Sequence, residues 1–188
     1  MSRRCFGDGD PLYERYHDEE WGRPVTDERG LFERMSLEAF QSGLSWATIL
    51  RKREQFRAAF ANFDPEVVAR FGDDDVERLM ADAGIVRNRA KIEATIANAR
   101  ATVALHADGG SLHELIWERY RPAPRTAPPA SFADVPAQVP ESAALAKDLK
   151  RRGFRFVGPT TLYALMQATG VVDDHLAGCP VRERLDAA

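Results

Sequence analysis

An all-α fold is predicted for this chain of 188 residues, and three observations predict it. Capping residues recur in front of apolar stretches, as at Asp10-Pro11 and Asp64-Pro65, where an N-cap residue precedes proline at the first helical position. Apolar residues then repeat at helical spacing. No segment has a convincing strand pattern, because FRFVG at 154–158 is too short to support a sheet.

The helices can be placed one after another from their start and stop signals. Thr26 should cap a helix that stops at Gly43, and Ser45 should cap the next one, which extends to Phe60. Further helices are predicted at Asp64-Pro65, over Val76–Ala83, from near Asn88 toward Gly109, from Ser111 through Trp117, over Ser142–Arg152 and over Pro159–Thr169.

A proline-rich loop interrupts this helical pattern at residues 121–140, which hold six of the 11 prolines. Proline density of this kind excludes a helix interior or a central strand. Because helical signals resume after the loop, we interpret it as an excursion within a single domain that covers residues 1–188.

The composition limits the classes of protein that fit. The chain is 44% hydrophobic and 29% charged, which is ordinary for a globular protein, and no apolar run is long enough to cross a bilayer. The first ten residues lack the apolar stretch of a signal peptide, so we expect a cytoplasmic protein. A net charge of −3 argues against coating nucleic acid by bulk charge but allows a local basic face.

Four side chains that zinc accepts as ligands lie near the two ends of the chain: Cys5, His17, His175 and Cys179. The last two are four residues apart, which places them on one face of a helix or a tight turn. If all four bind, the tetrahedral site is closed and therefore structural. The alternative is an ordinary surface thiol at Cys5 and a small buried apolar residue at Cys179.

Two segments combine aromatic rings with a carboxylate. In DPLYERYHDEEWG at 10–22, Tyr13, Tyr16 and His17 share one helix face, and Trp21 follows. In LEAFQSGLSW at 37–46, a glutamate, a glycine turn and an indole lie within ten positions. Rings at helical spacing are also common in ordinary cores, so the residues alone leave a pocket and a core both open.

The segment MADAGIVRNRAK at 80–91 predicts a helix–hairpin–helix that turns at Gly84. Backbone N–H groups at such a turn and at the next helix N-terminus can hold a DNA phosphate without reading sequence. The basic residues Arg87 and Arg89 belong to this segment. The motif is degenerate, and many helix connections are similar.

Taken together, these segments, with RKREQFRAAF, KRRGFRFVGPTTLYALMQATG and DDHLAGC, resemble the DNA-3-methyladenine glycosylase I family over nearly the whole chain. The resemblance implies a helix–hairpin–helix DNA glycosylase fold in which one structural Zn²⁺, bound by the four ligands named above, joins the N- and C-terminal segments. The least similar parts are the proline-rich loop and the tail after Cys179.

The resemblance also implies roles for individual residues. Glu38 would hydrogen-bond the edge of a flipped base and is the expected catalytic residue, with the rings that stack on or border the base being Tyr16, Trp46, Tyr13 and Trp21. The residues implied to contact DNA are Gly43 and Leu44, which would fill the gap left by the base, and Gly84, Arg87 and Arg89, which would grip the backbone. Phe6 stands where many relatives are expected to have tryptophan, which removes an N–H donor from the pocket edge.

The expected activity is hydrolysis of the N-glycosidic bond of 3-methyladenine in alkylated double-stranded DNA by a monomeric, monofunctional enzyme. The alternatives are a non-catalytic module that binds damaged DNA, a glycosylase for another lesion, and a zinc hydrolase. A closed zinc site and the absence of an HExxH segment disfavour the last of these.

Overall fold

The computed structural model describes residues 4–182, and these residues form helices without any strand. The ends of the predicted domain, 1–3 and 183–188, lie outside the described residues. The helices are α1 (Pro11–Glu19), α2 (Glu28–Gln41), α3 (Trp46–Ala59), α4 (Pro65–Val68), α5 (Asp73–Ala81), α6 (Arg89–Ala107), α7 (Pro140–Arg151) and α8 (Pro159–Ala168). The predicted all-α class is confirmed.

Side-chain caps begin several helices at the predicted residues. The side chains of Asp10, Ser45, Asp64 and Asn88 each accept a hydrogen bond from a backbone N–H in the first turn of the helix that follows. The cap predicted at Thr26 is wrong by one residue. Asp27 is the N-cap of α2 because its carboxylate accepts from the N–H of Gly30 at 2.8 Å.

Helix α2 lies at the centre of the fold. All ten residues from Leu31 to Phe40 are buried, including Glu33, Arg34 and Glu38. A helix that is buried on every side must pack against several neighbours, and α2 contacts α3, α6 and α8. The carboxylate of Glu38 is therefore held on the most enclosed helix of the protein.

The region between α6 and α7 differs in detail from the prediction. Ser111 accepts a hydrogen bond from the N–H of Glu114, and the helical turn that follows, Glu114–Arg119, is π-helical. The proline-rich loop contains one short 3₁₀ turn, Phe132–Asp134. The loop ends earlier than predicted, because Pro140 is the first residue of α7.

The apolar side chains form two clusters. The large cluster contains side chains from the helices α2 through α8. The small cluster lies where α1 meets α3 and the end of α8, and it contains Tyr16, Trp21, Leu50 and Ala168. The second cluster carries the predicted aromatic residues. No helix in the described part of the chain is long and apolar enough to span a membrane.

Candidate active site

A cavity of about 160 Å³ opens beside the second cluster. It is lined by all five side chains predicted for the base pocket and by four others: Tyr13, Tyr16, Trp21, Glu38 and Trp46, then Phe6, Gln41, Ala164 and Gln167. Its volume is below the roughly 300–1,000 Å³ of sites for drug-sized ligands, which suits one small flat group. The structure thus brings the predicted pocket residues together from α1, the turn that follows it, α2 and α3.

The rings in this cavity surround it from several sides. Tyr16 and Trp46 have centroids 5.4 Å apart at an interplanar angle of 43°. Phe6 lies 4.9 Å from Tyr13 and meets Trp21 edge-on at 5.1 Å. Phe6 therefore keeps the aromatic wall at the position where an indole was expected, although it offers no N–H donor.

Glu38 supplies the carboxyl group of the cavity. It is 6% exposed, and no hydrogen bond to another described residue holds its carboxyl oxygens. Burial raises the pKa of Glu38 to about 8, and the charge of Arg34, one turn earlier on α2, acts in the opposite direction. Burial, reinforced by Glu38, also raises the pKa of Tyr13. The free pocket is thus a poor place for a lone negative charge.

Two further polar groups of the pocket were not singled out from the sequence. The Trp46 Nε1–H is buried without a hydrogen-bond partner among the described residues, so the pocket retains an open donor. The second group is the side chain of Gln167, which Asp174 holds in place by accepting a hydrogen bond from Gln167 Nε2 at 2.9 Å. The same carboxylate accepts a hydrogen bond from the hydroxyl of Tyr163 at 2.5 Å. No sequence pattern marks Gln167 as a pocket residue, because α8 comes near the pocket only through the tertiary fold.

A four-residue turn, Ser42–Ser45, connects α2 to α3 at the mouth of the pocket. Gly43 has φ +82°, a conformation that favours glycine, and no atom lies within 4 Å of where its Cβ would be. Leu44 is 39% exposed, and its N–H donates to the carbonyl of Gln41 at 2.7 Å. An apolar side chain is therefore exposed on this turn, next to the cavity.

The hairpin predicted at 80–91 forms between α5 and α6. Arg87 is exposed, whereas Arg89 is paired with Glu77 at 2.6 Å, so its charge is partly compensated. The N–H of Gly84 donates to Asp82 Oδ1 at 2.7 Å. Of the three residues predicted to grip the DNA backbone here, Arg87 is the one whose polar groups are most available.

A second helix–hairpin–helix, which the sequence reasoning did not identify, is formed by α7, the hairpin 152–158 and α8. Gly153 has φ +91°, and Phe156 has φ +55° with 41% of its surface exposed. Asn98 of α6 fixes this hairpin, since its side chain bonds both the N–H and the carbonyl of Arg155 at 2.7 and 3.0 Å. The basic run KRRGFR was the available signal, because it combines charge with a glycine turn.

Three of the four predicted metal ligands, Cys5, His17 and Cys179, form one cluster beside α1, and His175 lies next to it. The ligand atoms of Cys5, His17 and Cys179 lie within 4.8 Å of one another, and the latter two are fully buried. The ring of His175 is 5.4 Å from that of His17, and its Nε2 is buried without a hydrogen-bond partner among the described residues. Gly22 permits this approach, because a Cβ there would lie 2.5 Å from the His175 ring.

Both histidines are oriented by carboxylates. His17 Nδ1 lies 2.8 Å from Asp18 Oδ1, and His175 Nδ1 lies 2.8 Å from Asp173 Oδ1. A carboxylate accepts, so each Nδ1 carries a proton, and in the neutral ring the Nε2 presents a lone pair. Two thiols and two such nitrogens are a donor set that fits Zn²⁺.

The comparisons with known proteins agree over almost the entire chain. A family model described as methyladenine glycosylase matches residues 6–183. The DNA-3-methyladenine glycosylase 1 of Escherichia coli is 48% identical over 179 residues, which cover 95% of this chain and 96% of that protein.

Solved structures match equally well. A crystal structure of 3-methyladenine DNA glycosylase I superposes with a TM-score of 0.90 at 49% identity, covering 95% of this chain and 98% of that one. A variant of a 3-methyladenine DNA glycosylase I, solved in complex with 3-methyladenine, superposes with a TM-score of 0.89 at 36% identity. The match covers 96% of this chain and 97% of that one. The resemblance inferred from the sequence is confirmed: the chain belongs to the methyladenine glycosylase family.

Proposed function

We propose that this chain hydrolyses the N-glycosidic bond that joins 3-methyladenine to deoxyribose in alkylated double-stranded DNA. The observation that carries the proposal is a buried carboxyl group, Glu38, in a small cavity that the rings of Tyr16 and Trp46 line. The related proteins described above carry the same activity in their names. The expected reaction is monofunctional, with base release and no strand cleavage.

The charge of the substrate explains why these residues suit it. In DNA, 3-methyladenine carries a positive charge, and the faces of Tyr16 and Trp46 attract a cation by roughly 0.5–2 kcal/mol per contact. The positive base also replaces the solvation that burial takes from the Glu38 carboxylate, which can then accept a hydrogen bond from the exocyclic amine. A neutral adenine offers no such compensation, so the pocket favours the alkylated base.

The reaction needs little help at the leaving group. Water adds its oxygen to C1′ of the sugar, the glycosidic electron pair leaves with the base, and the ring thereby loses its positive charge. One proton of the water passes to solvent. The pocket contributes orientation and electrostatic stabilisation of the everted cationic base, for which the roles of Tyr13 and Trp21 are to enclose the ring system.

Contact with DNA is assigned to the turn and hairpins beside the pocket. Leu44, presented by Gly43, is the apolar wedge that replaces the everted base in the stack. The 84–89 hairpin, including Gly84, Arg87 and Arg89, contributes backbone contacts, and the 152–158 hairpin at the N-terminus of α8 is a second phosphate-binding element. The exposed side chain of Arg155 and the open turn at Gly153 support this addition.

We further propose that one structural Zn²⁺ is bound by Cys5, His17, His175 and Cys179. The four donors fill a tetrahedral site, so the ion would supply cross-linking of the two ends of the chain and no catalytic chemistry. His17 follows Tyr16 directly on α1. Fixing one therefore fixes the other, and the zinc site would hold a wall of the base pocket in place.

The decisive experiment is base release from methylated duplex DNA, with the products separated by chromatography. The wild type should release free 3-methyladenine, and Glu38→Gln should release it at least tenfold more slowly. Glu54→Gln, an exposed glutamate on α3, is the matched control and should behave as the wild type. Measurable DNA binding without any release would instead identify a damage-binding module.

The zinc proposal has its own test. The purified protein should contain one zinc per chain by elemental analysis, and Cys179→Ser should lose most of it together with thermal stability. A zinc-free wild type, prepared without chelators, would contradict the proposal. We expect the active species to be a monomer, which light scattering of the purified protein on DNA checks, and we expect it in the cytoplasm, which cell fractionation checks.

A further inference from the structure

Lys91 is a buried lysine that contacts the wedge turn. It lies in the first turn of α6 and is 8% exposed. Its Nζ donates to the carbonyl of Phe40 at 2.8 Å and to the carbonyl of Ser42 at 2.6 Å. Phe40 lies in the last turn of α2, and Ser42 is the C-cap residue of that helix. A side chain from α6 thus fixes the backbone on which the turn with Leu44 begins.

Burying the Lys91 ammonium costs free energy, so its position calls for a compensating interaction. Among the described residues no carboxylate pairs with the Lys91 ammonium, and burial lowers its pKa. Its compensation is the end of α2, where unpaired carbonyls carry the negative end of the helix dipole. Helix α2 has no basic residue of its own in its last turn, so Lys91 provides this charge from another helix.

The turn beyond these carbonyls has few other supports. Gln41 closes it, since Gln41 Nε2 donates to the carbonyl of Leu44 at 2.9 Å. Residues 42–45 are all exposed, and no atom packs against Gly43. The hydrogen bonds described for Leu44 are made by its backbone, so the direction in which its side chain points depends on how the backbone of this turn is fixed.

We propose that Lys91 is a positioning residue for base eversion, which holds the α2–α3 turn so that Leu44 enters the DNA stack at the mouth of the pocket. This inference rests on the proposed function. Lys91 also follows the 84–89 hairpin directly, so the same helix end joins the wedge to a predicted backbone-binding element. In α3, Lys52 adds a similar tie, donating to the carbonyls of Ala83 and Gly84 at 3.0 and 3.4 Å.

The test compares Lys91→Met with Arg100→Met. Arg100 lies on the same helix and likewise donates to two backbone carbonyls, those of Ala69 and Phe71, at 3.0 and 2.7 Å, but it is remote from the pocket. It therefore controls for the loss of a cationic tie between helices. Thermal unfolding of both variants establishes that they are folded, and Lys91→Gln, which keeps a shorter neutral donor, is the second variant.

The main readout is eversion itself, measured as the fluorescence of a 2-aminopurine beside a non-hydrolysable analogue of the 3-methyladenine nucleotide in duplex DNA at saturating protein. Lys91→Met should lower the eversion equilibrium and duplex excision about tenfold, because a charge-assisted hydrogen bond no longer fixes the wedge. Binding of free 3-methyladenine should change less than about twofold, since the pocket residues are untouched. Arg100→Met should match the wild type in all three measurements.

A double-mutant cycle tests whether Lys91 affects eversion through Leu44. In a Leu44→Ala background, Lys91→Met should cause little additional loss, because both changes remove the same wedge. Three outcomes would overturn the proposal. The effects of Lys91→Met and Leu44→Ala could be fully additive, the eversion signal could be unchanged in folded Lys91→Met or Lys91→Gln, or free-base binding could fall in parallel with eversion. The fluorescence signal does not require hydrolysis, so an inactive wild type would contradict the proposed function and leave this test intact.

Discussion

Replacing Glu38 by glutamine should stabilise the folded protein while it reduces activity, and the gain should grow with pH. Glu38 has a pKa of about 8 in the folded state, compared with an ordinary value of 4.5. Between these values the carboxyl group is ionised in the unfolded chain and protonated in the folded protein. The unfolded state therefore binds fewer protons, and the free energy of unfolding falls as pH rises through this window.

The magnitude follows from the two pKa values. A tenfold difference in acidity between the folded and unfolded states corresponds to about 1.4 kcal/mol, so the full penalty approaches roughly 5 kcal/mol above the folded-state pKa. Because ionisation of the unfolded chain begins near its own pKa, the difference between Glu38→Gln and the wild type should widen by about 3.5 kcal/mol from pH 5 to pH 8. Glutamine does not titrate, so this slope isolates the carboxyl group from the other effects of the substitution.

The assay is urea unfolding of the wild type and Glu38→Gln at pH 5, 6, 7 and 8, with equal zinc content in both proteins. Glu54→Gln, on the exposed face of α3, controls for the loss of one negative charge and should show a much smaller pH-dependent difference. A stability difference that stays constant with pH would refute the reasoning, because it would mean that Glu38 is ionised in the folded pocket as readily as in the unfolded chain.

Three further predictions concern the neighbours of the site. Arg34→Met should move the pH of half-maximal excision upward by about one pH unit, because Arg34 is the charge that opposes the effect of burial on the pKa of Glu38; an unchanged pH profile would contradict this. Leu44→Ala should lower excision from duplex DNA about tenfold with free-base binding retained, and equal losses in both would argue against a wedge. Asp18→Asn should weaken zinc binding about 10–100-fold in a competition titration with a chelator, whereas an unaltered affinity would show that Asp18 does not orient His17.

Local signals were sufficient for most of the helices, whereas the pocket was predicted only with the help of the family resemblance. Side-chain caps such as Asp10 and Ser45 act within three residues, so the sequence reveals them directly. The same locality explains the error at Thr26, since two neighbouring residues can both cap and only the backbone geometry at Asp27 decides between them. The pocket rings were recognisable because α1 and the α2–α3 turn each keep their contributions close together in the chain.

Contacts between distant segments could not be predicted in this way. The hydrogen bonds from Lys91 to Phe40 and Ser42 join residues 51 and 49 positions apart, and no spacing rule marks them. Gln167 reaches the pocket from α8 for the same reason. The 152–158 hairpin was overlooked because its basic run is also typical of a solvated helix face, and the clamp by Asn98 is visible only in three dimensions.

The sequence by itself determined the helical class, most of the capping residues and the family, because these depend on local chemistry and on motifs in order. The pocket and ligand side chains were predicted from the resemblance that these motifs carry. The tertiary structure alone decided which groups are deprived of water. The pKa of Glu38 is raised only when α2 is enclosed by its neighbours. The same packing leaves ring nitrogens of Trp46 and His175 buried without a hydrogen-bond partner among the described residues, and it buries Lys91 against the α2–α3 turn. Burial is a property of the packed chain as a whole, and it changes the free energy of each polar group according to what surrounds it.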